Sequence, residues 1–306
     1  MQQNWFVIVN PTSGNGASKK KWPLIFNELK AQQFQFEFSV TKHKDHAIIL
    51  VKNAIEKGFQ NFICVGGDGT LHSIVNGIFI LNTPNISKIK IGVIPIGTGN
   101  DWIKTYGIST NFKTAINTLK NAHTIQQDIG KINITNTNTS IYFNNLAGIG
   151  FDGYVVNKVH KFKNLGSLAY LTGALVSLIS YKKPLLEINF NNNTLKSNTL
   201  LLFIGIGTYC GGGMQLTQNP NPFNGLFDIS FVKNISLLQL LTNIKGLFNG
   251  NITKHKIVEN YKTSTIEVKV LDKQETYIQA DGELIGSGDF KVTILPKALT
   301  FIVPKT

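Results

Sequence analysis

The stretch from Phe62 to Ile78 constrains the fold more than any other. Phe62-Ile-Cys-Val65 reads as a buried strand, stops at Gly66-Gly67-Asp68-Gly69-Thr70, and gives way to a helical spacing of Leu71, Ile74, Val75 and Ile78. A strand that breaks into glycines and re-forms as a helix leaves backbone N–H groups pointing out of the helix start. Those amides and the helix dipole both favour an anion such as phosphate. Glycines let a ligand approach the backbone closely. A carboxylate among such amides makes sense if a metal ion or a transferred proton is involved. A Gly-Gly pair alone is equally compatible with a structural turn.

Two further loops share the pattern. Asn10-Pro-Thr-Ser13-Gly14 follows the apolar run Trp5–Val9, and Pro95-Ile-Gly97-Thr98-Gly99-Asn100-Asp101 follows a strand at 91–95. Between them, helices are expected at 19–32 (Trp22, Ile25, Phe26 and Leu29 at core spacing), 45–57, 101–106 and 113–121. The run 34–40, with Phe34, Phe36, Phe38 and Val40 alternating, reads as a half-buried strand. Strands and helices alternating at this pace mean a parallel sheet with helices on both faces. In such a sheet the glycine loops would meet at one edge, where α/β folds bind ligands.

Near Thr124 the character changes. Strands are expected at 125–134, 140–147, 185–190, 194–205, 226–232, 257–261, 264–271, 276–280 and 290–295, which describes a mostly antiparallel β domain. Two helices interrupt it, at 166–181 and 237–248. The second puts Leu237, Leu240, Leu241, Ile244, Leu247 and Phe248 on one stripe, with Ser236 as N-cap. The stripe suits packing on its own sheet or, alternatively, a lipid-lining or membrane-facing surface. The expected domains are 1–123 and 124–296.

Composition bounds the function. At 306 residues the chain can bury a sizeable core, and its mean hydropathy near zero is that of a globular protein. The longest apolar runs, 168–179 and 200–206, fall short of the roughly 20 residues a bilayer span needs. No signal peptide is apparent at the N-terminus. Two cysteines, Cys64 and Cys210, indicate neither a disulfide framework nor a metal site, and suit a reducing, cytoplasmic compartment. The formal charge is +13, and all thirty basic residues are lysine. Nucleic acid is not an expected partner, because no recognition motif accompanies the scattered lysines. They suit an anionic membrane surface or simply a solvated exterior. Gly-x-x-x-x-Gly-Lys-Ser/Thr is missing, so a P-loop enzyme is disfavoured, and without arginine no bidentate phosphate clamp is available. Lys19, Lys20 and Lys21, near the first loop, are the remaining cationic candidates.

The trio Asn-Pro-x-Ser-Gly, Gly-Gly-Asp-Gly-Thr and Gly-Thr-Gly-Asn-Asp resembles the diacylglycerol kinase catalytic domain. That group includes soluble bacterial lipid kinases, sphingosine and ceramide kinases and, more distantly, NAD kinases and phosphofructokinases. Gly148-Ile-Gly-Phe-Asp152, Gly211-Gly-Gly-Met214, Asn224-Gly-Leu-Phe-Asp228 and Asp281-Gly-Glu283 extend the resemblance over almost the whole chain. It implies an NAD-kinase/phosphofructokinase-like α/β N-terminal domain, to which residues 297–306 return, and a β-rich lipid-substrate domain. The implied activity is ATP-dependent transfer of the γ-phosphate to the hydroxyl of diacylglycerol, giving phosphatidic acid, in an interdomain cleft. A sphingoid-base or ceramide-type kinase is the alternative; an NAD kinase or a non-catalytic nucleotide-binding regulator ranks lower.

By match to the family's motifs, Asn10, Ser13, Gly14, Thr41, Gly66, Gly67, Gly69, Thr70, Gly97, Thr98, Gly99 and Asn100 are implied to bind nucleotide. Asp68 and Asp101 are implied to act in catalysis and, with Asp128, to hold Mg2+ directly or through water. Glu283 is the implied general base. Relatives of the soluble bacterial branch often carry an accessory structural magnesium in an acidic stretch that corresponds here to Asn221, Asn224 and Leu226. Asparagine brings no charge, which argues against a metal there. The implied partner is a lipid taken from the inner membrane face by a peripheral enzyme, with a homodimer as a further expectation.

Overall fold

The computed structural model describes residues 4–81, 86–159, 177–178, 181–274 and 276–305. By internal contacts the chain divides into two units, Met1–Asp128 with Lys297–Thr306, and Ile129–Pro296.

In the first unit the apolar runs form β1 (Asn4–Val9), β3 (Asn61–Gly66) and β4 (Lys90–Pro95), each buried throughout except at its first residue. Strands covered on both faces read this way, as continuous rather than alternating apolar runs. β2 (Gln35–Val40) is the edge strand and the most exposed. The order is β2-β1-β3-β4, all parallel, with Thr300 and Phe301 of the last strand, β18 (Phe290–Ile302), joining beside Lys90 and Ile91 of β4. The connecting helices are α1 (Ala17–Ala31), α2 (His46–Glu56), α3 (Asp68–Ile80), α4 (Asp101–Thr105) and α5 (Phe112–Asn121). Ile25 and Leu29 of α1 and Ile116 and Leu119 of α5 share one core with Val7, Val9, Ile63 and Val65. Phe6, Ile8, Phe62 and Cys64 point to the opposite face and are equally buried. α3 lies so close to α2 that a Cβ on Gly77 would stand 2.9 Å from that of Val51.

The second unit is antiparallel. One sheet runs β14-β13-β10-β7-β16-β17, from β7 (Leu146–Gly150), β10 (Leu201–Gly205), β13 (Phe227–Val232), β14 (Val258–Thr263), β16 (Tyr277–Ala280) and β17 (Glu283–Ser287). The other strands include β5 (Thr124–Ile134) paired with β6 (Thr139–Phe143), the short pair β11 (Tyr209–Cys210) and β12 (Met214–Gln215), and β8 (Leu185–Phe190) paired with β9 (Asn193–Asn198) and with β15 (Thr265–Val270), which in turn pairs with the start of β18. A single core takes Ile149, Ile204, Ile229 and Ile278 from the first sheet and Phe143, Ile188, Val268 and Val292 from the rest, the arrangement of a β-sandwich. β5 and β18 are the two strands whose chain passes from one unit into the other.

Several expected elements differ. The strand at 140–147 is two strands, broken at Asn144-Asn145, and 194–205 breaks at 199–200 into β9 and β10. At both breaks the chain passes from one sheet to the other: β6 pairs with β5 and β9 with β8, whereas β7 and β10 pair with each other. β18 extends through 290–295 to Ile302. α6 (Phe151–Val159) and β17 were not expected. The helix at 237–248 is two short ones, α7 (Leu237–Thr242) and α8 (Ile244–Asn249). Ser236 does cap the first: its Oγ accepts from Gln239 N–H, and Gln239 Oε1 accepts from Ser236 N–H. Thr242 and Asn243 then bond back to the carbonyls of Leu238 and Gln239, which competes with helix continuation. The expected stripe is accordingly interrupted; of it, Ile244 and Leu247 are half-buried and Phe248 is exposed. The helix at 166–181 lies almost entirely outside the described residues.

Candidate active site

The chain leaves β1 for β2 on one side and returns for β3 on the other, so the strand order reverses between β1 and β3. Their C-terminal ends are the place where such a sheet opens a crevice. The loop after β1 is anchored there by Asn10 N–H donating to Val65 O (3.0 Å), and the loop after β4 by Ile96 N–H donating to Gly66 O (2.8 Å). Thr70, in the first turn of α3, gathers the loops. Its Oγ1 accepts from Asn10 Nδ2 at 2.9 Å and lies 3.4 Å from Ser13 Oγ. Asn10 Oδ1 meanwhile accepts from the amide and hydroxyl of Thr12, closing its own turn.

Close backbone approach explains the glycines. A Cβ on Gly66 would lie 2.5 Å from Thr70 Oγ1, and one on Gly97 would lie 2.8 Å from Gly67 Cα and 2.4 Å from Asn100 Oδ1. Asn100 holds a left-handed conformation (φ +48°) and donates from Nδ2 to Gly97 O, which folds the third loop onto itself. Gly14 packs against Ile96, so the first and third loops touch as well. The N-cap of α3 is Gly67, which carries no side chain to bond the first N–H groups. Thr41 follows β2 at the same edge, its N–H donating to Val9 O at 2.8 Å. Gly69 and Thr98 sit in the second and third loops, and Lys19, Lys20 and Lys21 are exposed on α1.

Asp68 and Asp101 come together. Asp68 accepts from the backbone N–H of Asp101 (2.8 Å) and Trp102 (3.2 Å), so the second loop caps α4. Both carboxylates flank Gly99, at 3.3 and 3.5 Å from where its Cβ would be. Lys104 pairs with Asp101 Oδ1 at 2.7 Å. Asp128 is fully buried and accepts from Lys297 N–H at 2.7 Å, tying the returning strand to β5. Among the described residues no three His, Cys, Asp or Glu side chains gather to hold a metal ion. Magnesium commonly keeps several waters and takes one or two carboxylates plus substrate phosphates. Asp68 and Asp101 fit that donor set.

Sequence reading missed what supports α4. Trp102 Nε1 and Tyr106 OH both donate to Gln127 Oε1, at 2.8 and 2.7 Å, and Trp102 packs on Phe301. Burial and the nearby Asp128 push the Tyr106 phenol up, so it stays a hydrogen-bond donor. A tryptophan beside a glycine loop was the available signal.

Glu283 opens β17, in the tight turn after β16. Asp281 stands in the left-handed region (φ +51°), and its carboxylate accepts from the backbone N–H of Asn144 (3.2 Å), Asn145 (3.0 Å) and Leu146 (3.1 Å). Farther along this unit, Asn221 Oδ1 accepts from Phe223 N–H and Asn224 Oδ1 from Leu226 N–H, so these oxygens close local turns. The nearby charge is held differently: the Lys262 ammonium pairs with Asp228 and donates to Asn219 O. A cation is already present beside the segment, and the donor set does not fit a further divalent ion.

Fold and site together define a two-unit enzyme with an α/β half carrying three glycine loops and a β-sandwich half. Residues 4–132 match the diacylglycerol kinase catalytic domain, and residues 145–303 match the YegS C-terminal NAD kinase beta sandwich-like domain. The chain belongs to this kinase family. It is 29% identical to a diacylglycerol kinase of Staphylococcus aureus over 94% of this chain and 88% of that protein. It is 28% identical to one of Staphylococcus epidermidis over 100% and 93%. A crystal structure described as a diacylglycerol kinase from Bacillus anthracis has the same fold, with a TM-score of 0.72 at 21% identity, covering 99% of this chain and 97% of that one.

Proposed function

We propose that this kinase transfers the γ-phosphate of ATP to the hydroxyl of diacylglycerol. The meeting of three glycine loops around Thr70 and Asp68, at the sheet edge where the strand order reverses, carries the reading. Phosphoryl transfer needs a cradle for the triphosphate, charge neutralisation and a base that orients the attacking hydroxyl. The amides of the loops and of the glycine-capped start of α3 receive the phosphates, with Asn10, Ser13, Thr70 and Asn100 shaping the cradle. Asp68 and Asp101 would hold Mg2+, which when bound offsets charge on the triphosphate. Glu283 accepts the proton of the lipid hydroxyl. Diacylglycerol as acceptor is supported by the relatives that bear that name. Among the described residues no helix is long and apolar enough to cross a membrane, and the lysine excess suits attraction to an anionic bilayer from which the lipid is taken.

The test is purified protein with labelled ATP, magnesium and a panel of diacylglycerol, sphingosine, ceramide and NAD. Label in phosphatidic acid is expected. Label only in a sphingoid phosphate, ceramide phosphate or NADP would replace the acceptor, and tight ATP binding with no transfer would remove the enzymatic reading. Glu283→Gln should lower turnover about 100-fold or more while ATP binding persists.

A further inference from the structure

Two sequence landmarks of the β-rich unit are one spatial assembly. Gly148 of β7 stands opposite Gln279 of β16 in the sheet. The chain leaves β7 through Gly150, whose φ of +114° and whose approach to Leu200 O (2.4 Å from a built Cβ) exclude a side chain. α6 then lies on β16 at Gly153, where a Cβ would be 2.2 Å from Tyr277 O. This turn folds Asp152 back over Gly148, so closely that a Cβ there would meet Asp152 Oδ2 at 2.1 Å. Each glycine of Gly148-Ile-Gly-Phe-Asp152-Gly153 thus serves to bring one carboxylate onto β16.

That carboxylate accepts from Gln279 Nε2 at 3.1 Å, across 127 positions of sequence. The other end of the same carboxamide, Oε1, accepts from Gly282 N–H at 2.9 Å. A carboxylate only accepts and a backbone N–H only donates, so a side chain bridging them must carry a donor and an acceptor on one end. Gln279 is buried, which leaves water little access to substitute for either bond. Asp152 Oδ1 is buried with no hydrogen-bond partner among the described residues, and the bond from Gln279 goes to Oδ2.

We propose that Gln279 is a positioning residue, whose carboxamide links Asp152 to the Gly282 amide and so sets the turn that presents Glu283. The proposal rests on the reading of Glu283 as base. Asp281 holds the same turn from the other side, through the amides of 144–146; the two anchors leave its tip little freedom.

A charge-swap cycle tests it. Gln279→Glu sets two carboxylates against each other and should lower kcat about 30-fold, with KM for ATP unchanged and faster hydrogen exchange at the Gly282 amide. Asp152→Asn keeps an acceptor and should stay near wild type. Combining the two re-creates the bridge with donor and acceptor exchanged, and should restore both kcat and protection. Should Gln279→Glu fail to fold, Gln279→Met, which removes both bonds without adding charge, takes its place with the same expected losses. Wild-type kcat in the Gln279 variants, or a double variant as slow as Gln279→Glu, would overturn the proposal. Unchanged turnover in Glu283→Gln would instead sink the base assignment; exchange at Gly282 across the same variants then still decides whether the bridge exists.

Discussion

The glycine-loop edge and the Glu283 turn solve the same problem, holding a bend in place, by opposite means. In the α/β unit the loops are held by backbone closeness: Gly67 lies against Gly97, and Thr70 against Gly66 and Asn10. Removing Cβ atoms lets the strand ends crowd together, and the hydrogen bonds are mostly local or between neighbouring strands. In the β-rich unit the turn is held by carboxylates reaching across the fold, Asp281 to the amides of 144–146 and Asp152 through Gln279 to Gly282. The first arrangement should fail when volume is added, the second when a long-range acceptor is removed.

Four measurements sharpen that contrast, beginning with the largest expected effect. Asp281→Ala leaves the amides of Asn144, Asn145 and Leu146 without their acceptor, and an unsatisfied buried donor costs about 1–3 kcal/mol. A loss of about 3–4 kcal/mol in chemical unfolding is expected, with nucleotide binding lost only as far as the protein unfolds. A loss under 1 kcal/mol would mean water replaces the carboxylate readily. Gly97→Ala pushes a methyl into Asn100 Oδ1 and Gly67 Cα; overpacking of this kind costs about 1–3 kcal/mol. It should weaken ATP binding measured by calorimetry well beyond that stability loss, whereas Asp281→Ala should not.

Asp152 gives the pH dependence. Burial raises its carboxyl from 3.8 to about 6, against the opposing hydrogen bond from Gln279. The unfolded chain therefore releases this proton near pH 4 and the folded chain only near pH 6, so stability falls as pH rises through that window. The difference is on the order of 3 kcal/mol. Asp152→Asn should flatten the curve of stability against pH between 4 and 6 and raise stability at neutral pH; an unaltered curve would show that Asp152 titrates normally. The smallest effect is expected at Lys262. Its ammonium pairs with the buried Asp228 but is itself half-exposed, so Lys262→Met should cost about 1–2 kcal/mol after allowance for solvent screening.

The same contrast explains what could be read before the structure. The loops at 10–14, 66–70 and 97–101 each follow an apolar strand within a few residues, so their composition and position were visible together. The parallel order followed from strand–helix alternation. In the β-rich unit, the Asp152 that Gln279 meets and the amides that Asp281 holds lie more than a hundred positions away in sequence, and no local pattern joins them. Asp-Gly-Glu by itself reads as an ordinary hairpin, and Gly-Ile-Gly-Phe-Asp as a turn. The segments 140–147 and 194–205 hid a passage from one sheet to the other for the same reason: β-rich composition reports a strand but not its neighbours. Trp102 and Gln127 escaped notice because a buried aromatic–amide contact has no sequence period.

By itself the sequence determined the two kinds of architecture and the glycine loops, because burial period and missing Cβ atoms act over a few residues. It also determined the kinase family through motifs whose backbone geometry tolerates little change. Only the tertiary structure decided that Thr70 joins the first two loops, that Asp68 caps the helix carrying Asp101, and that Asp152, Gln279 and Gly282 form one chain of hydrogen bonds. Those are contacts between distant segments, and their energies depend on distance and desolvation, which exist only once the strands have chosen their neighbours.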